Sequence, residues 1–282
     1  MNYMVRPLGK SLGCLKDPED ERDFPLTRMS LTLRKKLPKK VDHTAKMSPV
    51  SDQGDEGTCV GFATVDGLKE YQEHVEWNKD IQLSVRYVYS NAKKIDGMPD
   101  EEGTTIRCAM KVLEKKGVAP EDCWPYKPHQ TDKPCQKANE LAKPYRIVRY
   151  VRLKSIQEMK ESLYVNGPFV AGVYVFDNWG QAERSGKIPM PKPGNRFVGG
   201  HAICIVGYDE SKKMVKFKNS WSARWGDKGF GYMPYEYVLN YMIDAWSAKD
   251  LLHKGKTKRK PKARPKKKGS RKKGHSSKNK KR

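Results

Sequence analysis

Four residues suited to acyl-transfer chemistry lie far apart along this chain. Gln53 precedes Cys59 by six residues, His201 follows Cys59 by 142, and Asn219 comes eighteen after His201. A thiol nucleophile needs a base beside it in space. A chain that uses this set must therefore fold its two halves against each other and place the site where they meet. Taken singly, the residues say little. A lone cysteine is usually a small buried hydrophobe, and Asn-Ser is a common turn dipeptide. Their order and their surroundings carry the signal.

The surroundings are Ser51-Asp-Gln-Gly-Asp-Glu-Gly-Thr-Cys59-Val-Gly-Phe62, Gly199-Gly-His201-Ala-Ile-Cys-Ile-Val-Gly-Tyr208 and Lys218-Asn-Ser-Trp-Ser-Ala-Arg-Trp-Gly-Asp-Lys-Gly-Phe-Gly-Tyr232. Together they resemble the papain-like, cathepsin-type cysteine peptidases of family C1, from about Leu37 to about Lys249. The resemblance implies an α+β fold of two lobes, one helical and one a β-barrel, with the active-site cleft between them. It implies a peptidase hydrolysing peptide bonds without a cofactor or metal. By the same resemblance Cys59 is the thiolate nucleophile, His201 its imidazolium partner, and Asn219 the side chain that orients the ring. Trp221 shields that hydrogen bond, and Gln53 joins the Cys59 backbone N–H as oxyanion donor. Gly103 and Thr104 stand where the family binds an extended substrate strand, and Ile106, Gly172 and Ala202 stand in the wall of its apolar pocket.

The chain departs from the family in places. Glu56 and, by counting, Glu101 replace the two cysteines of a family disulfide, and Val60 replaces the tryptophan after the nucleophile. Losing both ends of the bridge fits a chain independent of an oxidising compartment. These features are most similar to the short-propeptide branch of bacteria, archaea and large DNA viruses.

Local spacing adds an independent argument. Phe62, Val65, Leu68, Tyr71 and Val75 recur every three or four residues, which suits one helix face and puts Cys59 at the helix N-terminus, where a thiolate is favoured. Of the six cysteines, Cys108 and Cys204 fall in apolar periodic stretches and read as buried free thiols. Cys123 and Cys135 flank a Pro-rich loop, and spacing leaves open whether they pair. No Cys-x-x-Cys suggests zinc.

Residues 1–36 read as an N-terminal extension, either a packed arm or a short propeptide over the cleft. They lack the apolar core of a signal peptide. Residues 37–250 read as the peptidase domain, helical over 37–144 and β-rich over 145–250. Residues 251–282 read as a disordered basic tail. Lys254 to Arg282 holds 17 Lys or Arg among 29 residues and no acid, which leaves +7 of the chain's +24 for the rest. Such a segment has nothing to bury. It suits nucleic acid through phosphate neutralisation, a nuclear-import signal or an anionic membrane.

The expected partners are a polypeptide substrate and nucleic acid, with the protein a monomer and no transmembrane segment. The expected location is intracellular, in the nucleus or a virus particle. The competing reading is a nucleic-acid-associated structural virion protein on a peptidase scaffold with little turnover. A cell-wall amidase of Cys-His type is disfavoured by the Asn-Ser-Trp run.

Overall fold

The computed structural model describes residues 9–21, 23, 36–78 and 80–251. The expectations for the basic tail lie outside these residues, as do those for most of the N-terminal segment. Among the described residues no helix is long and apolar enough to cross a membrane.

The helical half is built around the helix that starts at the nucleophile position. It begins as α1 (Cys59–Phe62), runs through a π-helical stretch Ala63–Lys69 and continues as α2 (Glu70–Trp77). Asn78, at φ 53°, ends it in a left-handed cap. The even three-or-four spacing predicted an unbroken α-helix. A π turn closes one residue later than an α turn, so the apolar stripe rotates and Val75 ends up 49% exposed. Gly67 lies in the π stretch because a Cβ there would fall 2.4 Å from that of Cys204.

Against this helix pack α3 (Val85–Lys93), capped by the Ser84 hydroxyl, and α4 (Ile106–Lys115), capped by Thr105. A short α5 (Ala138–Ala142) follows the disulfide between Cys123 and Cys135, whose Cα atoms are 5.0 Å apart. The paired cysteines answer the question that spacing left open, and they weaken the argument from missing cysteines to a reducing compartment.

The β-rich half is one seven-stranded sheet. Its strands are β4 (Ile147–Arg152), β5 (Phe169–Phe176), β6 (Phe197–Asp209), β7 (Met214–Lys218), β8 (Phe230–Pro234) and β9 (Met242–Asp250), in the order β4-β9-β5-β6-β7-β8. Helix α6 (Ile156–Val165) and helix α7 (Tyr235–Tyr241) cover it. The seventh strand, β2 (Lys40–Asp42), comes from the other half of the sequence and pairs with the end of β6. The expected closed barrel is therefore corrected to an open sheet. Closure would need β4 to pair with β8, but the outer edge of β8 is taken by the Lys187–Ile188 segment, with Ile188 N–H donating to the Tyr232 carbonyl at 2.9 Å.

Two apolar cores result. One, around Phe62, Val88, Met110 and Leu113, holds the helical half. The other, around Phe169, Trp179, Ile203 and Phe217, holds the sheet. Strand β6 runs between them and carries His201.

Candidate active site

The site begins with two backbone elements brought face to face. Cys59 opens α1 and His201 sits within β6, and both are fully buried. The backbone N–H of Ala202, the next residue after His201, donates to Cys59 Sγ at 3.4 Å. This contact joins the two distant stretches of sequence.

His201 Nε2 lies 2.8 Å from Asn219 Oδ1. Because an amide oxygen only accepts, Nε2 carries the proton, and Nδ1 is left as the acceptor. Nδ1 has no hydrogen-bond partner among the described residues. Asn219 Oδ1 also accepts from the Ser220 N–H at 2.9 Å, which fixes the amide. Trp221 stacks on the imidazole with ring centres 4.7 Å apart, and Trp179 meets it edge-on at 6.2 Å. Trp179 is held in turn by its N–H to the Tyr237 hydroxyl at 2.7 Å. Trp179 stands on neither motif and was not found from sequence.

Gln53 is buried beside them. Its Oε1 accepts from the Ser220 hydroxyl at 2.7 Å, so Nε2 is turned outward to donate. Nε2 meets the carbonyl of Ser11 at 3.0 Å and that of Glu56 at 2.9 Å. The Ser11 contact comes from the N-terminal segment, which crosses the site. The Gly13 N–H donates to the Cys59 thiol, and the Gly13 carbonyl accepts from Thr104 N–H at 3.0 Å. Cys14–Leu15 (β1) pairs in parallel with Thr104–Thr105 (β3). A Cβ on Gly103, which has φ +96°, would lie 2.3 Å from the Gly13 oxygen, so only glycine fits there.

The Cys14 side chain fills a pocket. A Cβ on Gly172 would meet Cys14 Sγ at 2.6 Å, with Ile106 and Ile243 beside it at 3.4 and 3.5 Å. Sequence reading named Ile106, Gly172 and Ala202 for this wall. Ala202 pairs with Gly172 across β5 and β6, and its N–H also lies on the nucleophile. Ile243 was missed, since it comes from β9, which no motif marks.

The electrostatics differ from the ion pair that the resemblance implied. Burial pushes the Cys59 thiol up to about 11, with backbone donors from Ala202 and Gly13 only partly opposing it. Burial also pushes the His201 imidazole down to about 4 against the Asn219 hydrogen bond. Burial thus disfavours charge on both groups while residues 11–15 cover them.

Where the family has a disulfide, this chain has an ion pair. Glu56 is buried and chelated by Arg86, with Nη1 on Oε1 at 2.8 Å and Nη2 on Oε2. The His129 N–H adds a donor at 2.8 Å. Burial raises the Glu56 carboxyl, but Arg86 and His129 outweigh it and the carboxyl is lowered. Glu101, the counted partner position, is exposed, and its neighbour Glu102 binds the Gly57 N–H at 2.6 Å. Cys108 and Cys204 are buried free thiols, as expected.

Comparison with known proteins agrees with this geometry. The model of the papain family cysteine protease matches residues 37–245. An uncharacterized peptidase C1-like protein of Acanthamoeba polyphaga mimivirus is 30% identical over 277 residues, covering 86% of this chain and 88% of its own. A viral cathepsin of Cydia pomonella granulosis virus is 26% identical, covering 80% of this chain and 66% of its own. The crystal structure of xylellain, a cysteine protease from Xylella fastidiosa, superposes with a TM-score of 0.78 at 32% identity, covering 89% of this chain and all of that one.

Proposed function

The chain belongs to the papain family of cysteine proteases, in its short-propeptide branch, and is a cysteine peptidase acting on polypeptides; we propose that it is an endopeptidase whose catalytic residues are Cys59, His201, Asn219 and Gln53. His201 Nδ1 takes the thiol proton while Nε2–H stays on Asn219. The sulfur attacks a peptide carbonyl carbon, and the oxyanion is met by Gln53 Nε2 and the Cys59 N–H. His201 returns the proton to the leaving amine. Water then attacks the thioester, with His201 as its base, and frees the acid. The single observation that carries this reading is the 2.8 Å contact from His201 Nε2 to Asn219 beneath the Trp221 ring, which leaves Nδ1 free on the strand whose next N–H touches Cys59.

Residues 9–21 act in this reading as a short inhibitory segment. Its support is that Gly13 gives the sulfur a backbone hydrogen bond while the carbonyl on Gln53 belongs to Ser11, two residues earlier. In this reading the segment is held across the site rather than cut. The segment runs from Gln53 past Cys59 to the Cys14 pocket, opposite to a substrate whose residue two before the scissile bond fills that pocket. The pocket, with Ile106, Gly172 and Ile243 around it, suits Leu, Val or an aromatic side chain.

The tail from Lys254 binds nucleic acid through its phosphates, supported by 17 basic and no acidic residues. With the likeness to mimivirus and granulosis virus proteins, this favours a nuclear or virion-associated enzyme. The test is hydrolysis of a short fluorogenic peptide by the full chain and by Cys59→Ala. Turnover lost in the variant supports the assignment. No turnover in either, after the N-terminal segment is displaced, supports the structural-protein reading instead.

A further inference from the structure

Three residues beyond Cys14, the same segment makes a second buried contact away from the nucleophile. Asp17 is only 1% exposed. Its Oδ2 accepts from the Arg107 backbone N–H at 3.0 Å and from the Trp246 indole N–H at 3.2 Å. Arg107 is the second residue of α4, so the carboxylate meets helix N–H groups that have no partner within the helix, at the end that favours anions.

Two guanidiniums border the site, 5.4 and 5.5 Å from the centre of the Trp246 ring. Arg107 Nη2 holds the Asp23 carboxylate at 2.6 Å and the Pro18 carbonyl at 2.6 Å, and Arg152 Nη1 reaches Asp23 at 3.2 Å. Arg152 also pairs with Asp244, whose Oδ2 accepts the Asp17 N–H at 2.9 Å. Burial first, and then Asp244, push the Asp17 carboxyl up, while Thr105 and Arg107 pull it down. Burial and Asp244 thus oppose the anion that the helix N–H, the indole N–H and Arg107 favour, and Asp17 Oδ1 has no hydrogen-bond partner among the described residues.

The balance of charge shows what the site lacks without the segment. Asp17 and Asp23 belong to the segment, whereas Asp244 belongs to β9. Once the segment leaves, Asp244 keeps Arg152, and Arg107 loses both of these carboxylates. Arg107 is 6% exposed, and its Nε is buried with no hydrogen-bond partner among the described residues. The Arg107 backbone N–H and the Trp246 indole N–H then face an emptied carboxylate position, and the Arg107 guanidinium beside them is left without Asp23.

Resting on the reading that residues 9–21 vacate the cleft, we propose that Arg107, Trp246 and Arg152 form a substrate subsite for an acidic side chain. That side chain lies about three residues toward the substrate N-terminus from the one in the Ile106–Gly172–Ile243 pocket. The spacing is copied from Cys14 and Asp17, which fill the two positions here. The substrates selected are polypeptides with an apolar residue two before the cut and Asp or Glu about three further upstream.

The test uses the full chain carrying Asp17→Asn, which keeps the shape of the segment but weakens its hold. Quenched fluorescent peptides that differ only in Glu, Gln or Lys at the distal position are compared by kcat/KM. Charge-assisted hydrogen bonds to Arg107 and Trp246 should favour Glu over Gln by about tenfold or more, with Lys poorest. Adding Arg107→Gln removes the guanidinium but leaves the backbone N–H and the Trp246 indole in place, so the Glu-to-Gln ratio, taken within that variant, should fall severalfold. Arg152→Gln, on a less buried side chain, should lower the Glu preference in part. Faster turnover in Asp17→Asn with equal Glu and Gln rates would overturn the subsite and leave the inhibitory segment standing. A Glu preference undiminished by Arg107→Gln would overturn the role of the Arg107 guanidinium. No gain over wild type with any peptide would remove the inhibitory reading and the subsite with it.

Discussion

Gly13→Ala is the sharpest perturbation of the covered site. A Cβ on Gly13 would lie 1.9 Å from the Gly57 carbonyl oxygen, 2.5 Å from its carbon and 2.7 Å from its Cα. All three are backbone atoms at the start of the nucleophile helix, so no side chain can swing aside. Forcing in a methyl group of this kind costs about 1–3 kcal/mol. The shift also strains the Thr104 N–H to Gly13 carbonyl bond, worth about 0.5–1.5 kcal/mol. Docking of the segment should weaken by about 1.5–4.5 kcal/mol, roughly 12- to 1,600-fold in the docking equilibrium. The assay is the rate of Cys59 alkylation by iodoacetamide together with turnover of a short fluorogenic peptide. Both should rise until release of the segment no longer limits them. Gly180→Ala, where a Cβ would meet nothing within 4 Å, should change neither. If Gly13→Ala leaves alkylation and turnover at wild-type levels, residues 11–15 do not control access to Cys59.

Three further outcomes follow from particular contacts. The Cys59 thiol, raised to about 11 by burial, keeps its proton in the covered state. It therefore contributes to docking below the ordinary thiol value and loses that contribution as pH rises through about 11. Alkylation of the full chain should accordingly climb only toward that pH, and Gly13→Ala should move the midpoint down; an unmoved midpoint refutes burial by the segment as the cause. Glu56→Ala strips the buried Arg86 of its carboxylate and should cost about 3 kcal/mol, a fall of roughly 6–12 °C in Tm, read by calorimetry; an unchanged Tm would show that water or Tyr126 compensates fully. Truncation at about His253 should abolish salt-sensitive, sequence-indifferent binding to DNA while leaving peptide turnover intact, whereas retained binding would locate it elsewhere.

What could be read from the sequence was what repeats locally or recurs as a fixed motif. Phe169–Phe176 and Met214–Lys218 show as strands because alternation and β-branched residues are local properties, and both spans match the structure. Gln53, Cys59, His201 and Asn219 could be singled out because their immediate neighbours are distinctive, and the fold brings them together. The pieces that could not be read depend on partners distant in sequence. Arg86 opposite Glu56 and Ile243 opposite Gly172 are pairings that nothing in either segment announces. The glycine at 67 answers to Cys204 lying against it, and the open sheet to Ile188 taking the edge of β8. The burial that disfavours charge on Cys59 and His201 is a property of the fold that residue type alone does not carry.

The central claim, that Cys59 is the nucleophile served by His201, is tested most directly by mapping one covalent adduct. The full chain carrying Gly13→Ala is treated with an epoxide probe for thiol peptidases and digested for mass spectrometry. The account predicts a single adduct on Cys59, lost in His201→Ala, with Cys108 and Cys204 unmodified. An adduct on another cysteine with Cys59 untouched, or undiminished labelling of Cys59 in His201→Ala, would contradict it.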